Sequence, residues 1–188
     1  MDSHEPHEIE HHVHNRRIGI LIAVLAGVLS FTEMAGRNAA TDVVRETVEA
    51  SDTWSFFQAK TIRAAMLRAD AQALRVQTAG NPNATQEAAK TLADWEATAA
   101  REDSEPSTGE GRKELVVRAQ AIEKHRDDRD AAKETYEYAS GALELGILLA
   151  STAIVTGVPA LVFLAGGFGT IGAVLSVLGW LAPHFVGR

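Results

Sequence analysis

Two long blocks of this chain carry almost no charge, and they leave few folds open. Between Ile18 and Ala35 the only charged side chain is Glu33, and between Gly141 and Pro183 it is Glu144. A bilayer core about 30 Å thick is crossed by roughly 20 apolar residues in a helix. The run from Ile18 to Phe31, with its flank, meets that length, and the second block is long enough for two crossings. Gly157-Val158-Pro159 breaks the second block, and proline suits the first turn of a new helix, where a missing N–H costs nothing. A cleaved signal peptide is the alternative for the first block. No small-x-small cleavage site followed by a mature domain is evident, and the helical pattern runs on past Ala35. Three transmembrane helices are therefore expected, at 18–36, 142–158 and 159–182, with short tails at 1–17 and 183–188. The first tail, rich in His and Glu, is expected to be disordered.

Residues 37–141 are polar and rich in Ala, Arg, Glu and Asp, and in 37–79 Ala, Arg, Glu and Gln dominate, which favours helix. No Pro or Gly interrupts the chain between Gly36 and Gly80. Ser55, Ala59, Ile62, Met66, Ala69, Ala73 and Val76 follow one another at steps of four and three, a heptad seam of small and apolar residues. A second stripe, Phe57, Ala64, Leu67, Ala71 and Leu74, is displaced around the same helix. A helix with two apolar faces has two neighbours to find.

Gly80-Asn81-Pro82-Asn83 ends this helix, and Asn83 with Gln86 resembles a capping box for the next one, to about Arg101. A polar break near 103–110 follows, with Ser107 and Glu110 as candidate caps of a third helix. That helix carries Leu115, Ile122, Arg129, Tyr136 and Leu143 at sevenfold spacing and runs on into the second crossing. At about 1.5 Å per residue, the two returning helices together roughly match the first in length. The expected fold is all-α: three transmembrane helices with a long, coiled-coil-like antiparallel hairpin between the first and second. If the broken leg covers one face of the long helix, the other face is left for a second copy, so a homo-oligomer is expected.

The run Glu49-Ala-Ser-Asp-Thr-Trp54-Ser-Phe-Phe-Gln58-Ala-Lys60-Thr-Ile-Arg63 resembles the signature of an uncharacterised bacterial membrane-protein family catalogued only as a domain of unknown function. The likeness extends to the N-terminal His- and Glu-rich segment, the anchor after it and the closing pair of hydrophobic segments. Thr53 stands where that motif often carries glutamine. The resemblance implies a bacterial membrane protein and no particular activity.

Four groups of residues are candidates for function. His4, His7, His11, His12 and His14 are borderline-metal ligands by chemistry, with His7 and His11 at i, i+4. A useful metal site also needs ligands held by further contacts, so a solvated tail and a pH-responsive membrane contact stand beside metal binding. Glu33 and Glu144 lie about one turn inside the same membrane boundary, where ionisable groups mark proton or cation paths or simply reach the water. Trp54, Phe57, Gln58, Lys60, Ile62, Met66 and Ala69 are candidates for packing between helices and subunits, or for docking a partner protein. Ala165, Gly169 and Ala173 repeat at i, i+4, with Gly172 and Ser176 as a second pair, a spacing that lets membrane helices approach closely.

Cysteine is absent, which removes disulfide and thiolate chemistry. A net charge of −7 argues against nucleic acid as a partner. No phosphate-binding loop, Gly-x-Ser-x-Gly elbow or His-Glu-x-x-His motif occurs, no cofactor is implied, and no enzyme is expected. The functional expectation is an oligomeric membrane scaffold in the bacterial inner membrane. A subunit of a transport or channel assembly and a metal- or pH-responsive protein are the alternatives. Arg16 and Arg17 favour a cytoplasmic N-terminus. Arg37, Arg45, Lys124, Arg126, Arg129 and Lys133 nevertheless make the middle segment the more positive side, and its expected location is cytoplasmic.

Overall fold

The computed structural model describes residues 5–79 and 86–182, with side chains from Arg16 onward in the first of these segments. The fold is all-α, with four helices among the described residues: α1 (Glu5–Thr78), α2 (Gln86–Asp103), α3 (Arg112–Thr156) and α4 (Pro159–Leu181). Three of the helices, α1, α3 and α4, are long and apolar enough to cross a membrane, and α2 is the additional helix between the first two crossings.

Helix α1 begins at Glu5, so the segment expected as a disordered tail is helical from that residue on. Pro6 falls in the first turn, where proline is tolerated, and beyond it no breaker separates the segment from the anchor. Helix propagation adds one hydrogen bond per residue fixed, so the anchor extends its own helix outward. The expected stop at Gly80 and cap at Asn83 lie outside the described residues.

The chain divides into two compact units, Met1–Val44 with Asp127–Arg188, and Arg45–Arg126. In the first, the membrane-spanning unit, α1 and α4 run parallel and α3 runs against both. Ile18, Ala150, Ala153 and Ala165 form a buried cluster from all three helices. Further along, Thr32 and Ser176 share a hydroxyl–hydroxyl hydrogen bond of 2.7 Å between α1 and α4. The buried residues of α1 here, Ile18, Leu25, Thr32 and Ala39, recur every seven. Many large side chains point the other way: Phe31, Leu148, Val155, Phe163 and Trp180 are exposed, while Ile18, Leu25 and Leu143 are buried against the small residues. Small groups inside and large apolar groups outside is the arrangement expected of helices solvated by lipid, where association relies on close packing. The protein is thus a multi-pass membrane protein.

The turn between α3 and α4 follows from three residues. Gly157 has a φ of 68°, and its N–H bonds to the Ala153 carbonyl, closing α3 with a left-handed residue that glycine adopts without steric cost. Pro159 then occupies the first turn of α4.

In the second, the polar unit, α1 packs antiparallel to α2 and to the start of α3. Arg75 pairs with Glu96 and Arg68 with Asp103, whereas Glu49, farther back along α1, pairs with Arg118 on α3. The cap of α3 differs from the expected Ser107 and Glu110. Helix α3 starts at Arg112, and Glu114 reaches back into the loop, accepting hydrogen bonds from the Ser104 hydroxyl at 2.7 Å and the Glu105 N–H at 3.2 Å. Glycine at 109, with φ 72°, turns the loop and leaves Ser107 exposed. The Ser104 hydrogen bond holds the Glu114 carboxyl below its ordinary range.

Candidate functional site

The buried face of α1 in the polar unit is Ala50, Thr53, Phe57, Lys60, Ala64, Leu67, Ala71 and Leu74, at steps of three and four throughout. This seam contains the second of the two apolar stripes and adds two polar members, Thr53 and Lys60. Thr53 is satisfied within its helix, its hydroxyl donating to the Glu49 carbonyl at 2.7 Å. Lys60 needs more. Its side chain is only 9% exposed, and its ammonium lies 2.9 Å from Oε2 of Glu102, itself buried, on α2. Arg63 contacts the other oxygen, Oε1, at 3.2 Å, and the Phe56 ring lies 5.4 Å from the Lys60 nitrogen.

Burial alone would push the Glu102 carboxyl up. The contacts and charges of Lys60 and Arg63 outweigh it and hold the group below its ordinary value. Breaking such a buried pair by removing one partner strands a charge, at a cost of about 3–5 kcal/mol.

The aromatic residues of the same run complete the joint. The Trp54 indole N–H donates to Glu123 on α3 at 2.9 Å, and its ring meets Phe57 edge to face at 5.6 Å between centroids. The Arg112 guanidinium at the start of α3 stacks over the Phe57 ring at 5.3 Å. Trp54, Phe57 and Lys60 therefore join α1 to both α2 and α3 within one chain. Glu102, Glu123 and Arg112 were not singled out from the sequence. A signal for Glu102 existed: with Trp95 and Ala99 it falls at helical spacing on the inward face of α2, opposite a lysine in a core phase.

The heptad seam read first behaves differently. Ser55, Ala59, Ile62, Met66, Ala69, Ala73 and Val76 are all exposed, Ile62 and Met66 at 61% and Val76 at 71%. Gln58 is exposed as well. The other candidates, Trp54, Phe57 and Lys60, face inward, whereas this face points outward.

In the membrane-spanning unit, Glu33 and Glu144 border the same space. Both line one cavity of about 370 Å³ between α1 and α3, with Arg37, Lys133, Tyr136 and Glu137. Glu33 is paired with Arg37 at 2.7 Å, one turn along its own helix. No ion pair to Glu144 occurs among the described residues. Of the small residues of α4, Ala165 and Gly169 are buried, whereas Ala173 is only half-buried and Gly172 takes its place. Successive i+4 steps drift about 40° each around a helix of 3.6 residues per turn. The alternating series Ala165, Gly169, Gly172, Ser176, Gly179 stays on one face. A Cβ on Gly169 would run into Leu25 of α1, and one on Gly172 would sit 2.6 Å from Leu143 Cγ of α3, so these contacts lie within the subunit.

His4 lies outside the described residues, and His7, His11, His12 and His14 lie on the first turns of α1 with side chains outside the description. Among the described residues no group of three or more metal-ligating side chains gathers.

An all-α, three-crossing membrane protein whose polar helices are joined by a buried charged and aromatic motif is the class these observations define. The chain belongs to the family described as Domain of unknown function (DUF4337), which matches residues 14–182. No curated protein and no solved structure matches it.

Proposed function

We propose that this protein is a non-enzymatic, oligomeric membrane scaffold of the bacterial inner membrane, with its polar unit on the cytoplasmic side. Copies associate through the seam from Ser55 to Val76 on α1, and the assembled polar units present a surface to a partner protein. The observation that carries this reading is the exposure of the whole seam beside a neighbouring seam that is buried. Apolar residues at heptad spacing have a purpose only against another helix, and α2 and α3 already occupy the other face. A second copy is the natural occupant. Anchors in one bilayer hold all copies at the same height, so α1 helices meet parallel and each residue faces its own counterpart. The small residues Ala59, Ala69 and Ala73 allow a close approach, and Ile62, Met66 and Val76 supply the burial. Confinement to a membrane raises the effective concentration further.

The chain has no cysteine of its own, which makes the test direct. Ile62→Cys and Ala69→Cys are expected to give disulfide-linked dimers when isolated native membranes are treated with a copper–phenanthroline oxidant, and Ala64→Cys, on the buried face, none. Absence of adducts at both seam positions, together with a monomer mass in mild detergent, removes the proposal.

A further inference from the structure

One carboxylate on the exposed face of α3, that of Glu144, has no ion-pair partner among the described residues, although its helix is one of the three that suit a bilayer. The neighbouring cations are already engaged. Arg37 is held by Glu33 at 2.7 Å, and Lys133 lies 3.8 Å from Asp130 and 3.7 Å from Glu137. Arg37 and Lys133 line the cavity between α1 and α3 with Glu33, Glu137 and Glu144, and once the others are paired one negative charge is left over. An ionised group within a membrane span is costly and calls for a counter-charge.

Toward the middle of the membrane Glu144 borders a second cavity of about 560 Å³, walled by Leu29 of α1 and by Ile147, Leu148 and Val155 of α3. Three hydroxyls border it too, but their donors are spent on their own helix. Ser151 donates to the Ile147 carbonyl at 2.8 Å, Thr152 to Leu148 at 2.8 Å and Thr156 to Thr152 at 2.9 Å. From Glu144 to Thr156 the helix rises about 18 Å, so the groove is long enough to receive an extended hydrocarbon chain. Leu148 is 63% exposed and Val155 86%, so this half opens sideways to lipid. Whatever enters it comes from the bilayer and needs an apolar body.

Along α3 from the water inward come Lys133, Glu137, Glu144, Leu148 and Val155. The unpaired negative charge therefore sits directly against the apolar half, and that order selects among the molecules a bilayer holds. A phospholipid carries its phosphate next to its chains and would set that phosphate against Glu144. A fatty acid would bring a second carboxylate to the same place. A second copy of the chain, brought groove to groove by a two-fold axis, would face Glu144 with its own counterpart. An amine joined directly to a hydrocarbon chain has the matching order. Its ammonium also supplies N–H donors, and such bonds to a carboxylate are roughly twice as strong as neutral ones.

We propose that this groove binds an amphiphilic amine, a single protonated amine carried directly on a hydrocarbon chain, with its ammonium on Glu144 and its chain along Leu148 and Val155. The site is independent of the self-association argued above, since it lies in the other unit.

Equilibrium binding of radiolabelled dodecylamine to the full chain in phosphatidylcholine nanodiscs tests it, with partition into empty nanodiscs subtracted. Saturable binding is expected. Dodecanol and dodecanoate, which share the chain but lack the cation, are expected to compete about tenfold less well than unlabelled dodecylamine, the difference one charge-assisted hydrogen bond makes. Butylamine, which keeps the ammonium and lacks the chain, is expected to compete poorly too. Glu144→Gln, a near-isosteric change at an exposed position, weakens binding about tenfold for the same reason. Leu148→Trp, which fills the apolar half, weakens it as well, and Glu137→Gln leaves it as in the parent. Each variant is compared with the parent by its circular-dichroism melting curve, so that lost binding is read only from folded protein. Absence of a saturable component overturns the proposal, as does equal competition by dodecanol or by butylamine. So does undiminished binding in folded Glu144→Gln, or a fall in Glu137→Gln as large as in Glu144→Gln. Loss of a protein dimer in Leu148→Trp with dodecylamine binding unchanged assigns the groove to a second copy instead.

Discussion

In the membrane-spanning unit the helices meet on Ala165, Gly169, Gly172 and Gly179, whereas in the polar unit α1 meets its neighbours through Lys60, Glu102, Trp54 and Arg112. The difference follows from the solvent. Lipid tails are as apolar as leucine, so a large apolar side chain gains nothing by turning inward, and contact relies on backbones approaching closely. Water rewards burial of apolar surface, and in the polar unit the aromatic rings and the stem of Lys60 are drawn in, the lysine bringing a charge that Glu102 must meet. One unit is held by Leu25 and Leu143 seated against bare glycines, the other by particular pairs of polar and aromatic side chains.

The largest effect that can break this comparison is Glu102→Leu, which leaves the buried Lys60 ammonium without its carboxylate. A loss of about 3–5 kcal/mol is expected, read as faster hydrogen–deuterium exchange in α2 and in the facing part of α1, with α4 unchanged. Adding Lys60→Met to the same chain restores most of the protection, because the uncompensated charge is gone. Exchange that rises equally in both units would dissolve the distinction.

The converse change is Gly172→Ala. Its methyl group meets Leu143 Cγ and the Ala139 carbonyl, and overpacking of this kind costs about 1–3 kcal/mol. The melting temperature in mild detergent is expected to fall while exchange in α2 stays as in the parent. An unchanged melting temperature would show that the seam of α4 is looser than its contacts imply.

A smaller effect separates the units by pH. The Glu102 carboxyl is held below its ordinary value of 4.5, so it binds its proton more weakly folded than unfolded. Its contribution is complete above that value and is lost as the pH falls through the lower, folded value. Protection of α2 is therefore expected to decline in that acidic window, and Glu102→Gln to flatten the decline. A parent and variant with the same acid profile would assign the loss to other carboxylates.

Much of the architecture was legible because the signals were long. Two blocks with one charge each, the Gly157-Val158-Pro159 break and the polar interruption near residues 103–110 follow from composition and local backbone chemistry, which act wherever the chain is placed. The partners of Lys60 were not legible in that way. A lysine reads as a surface residue until its heptad phase is set beside that of Glu102, some forty positions away. The seam of α4 was half legible: the small residues were evident, but whether Ala173 or Gly172 joins Ala165 and Gly169 depends on which rotation of the helix faces Leu25 and Leu143.

By itself the sequence determined that this chain is helical, that three of its helices suit a bilayer and that α1 carries two apolar faces. Only the tertiary structure decided which of those faces is covered, that Lys60 belongs to the covered one, and that Glu33 and Glu144 share a cavity. Periodicity is a property of one helix, whereas burial is a property of its neighbours, and no spacing along a single helix says on which side they stand.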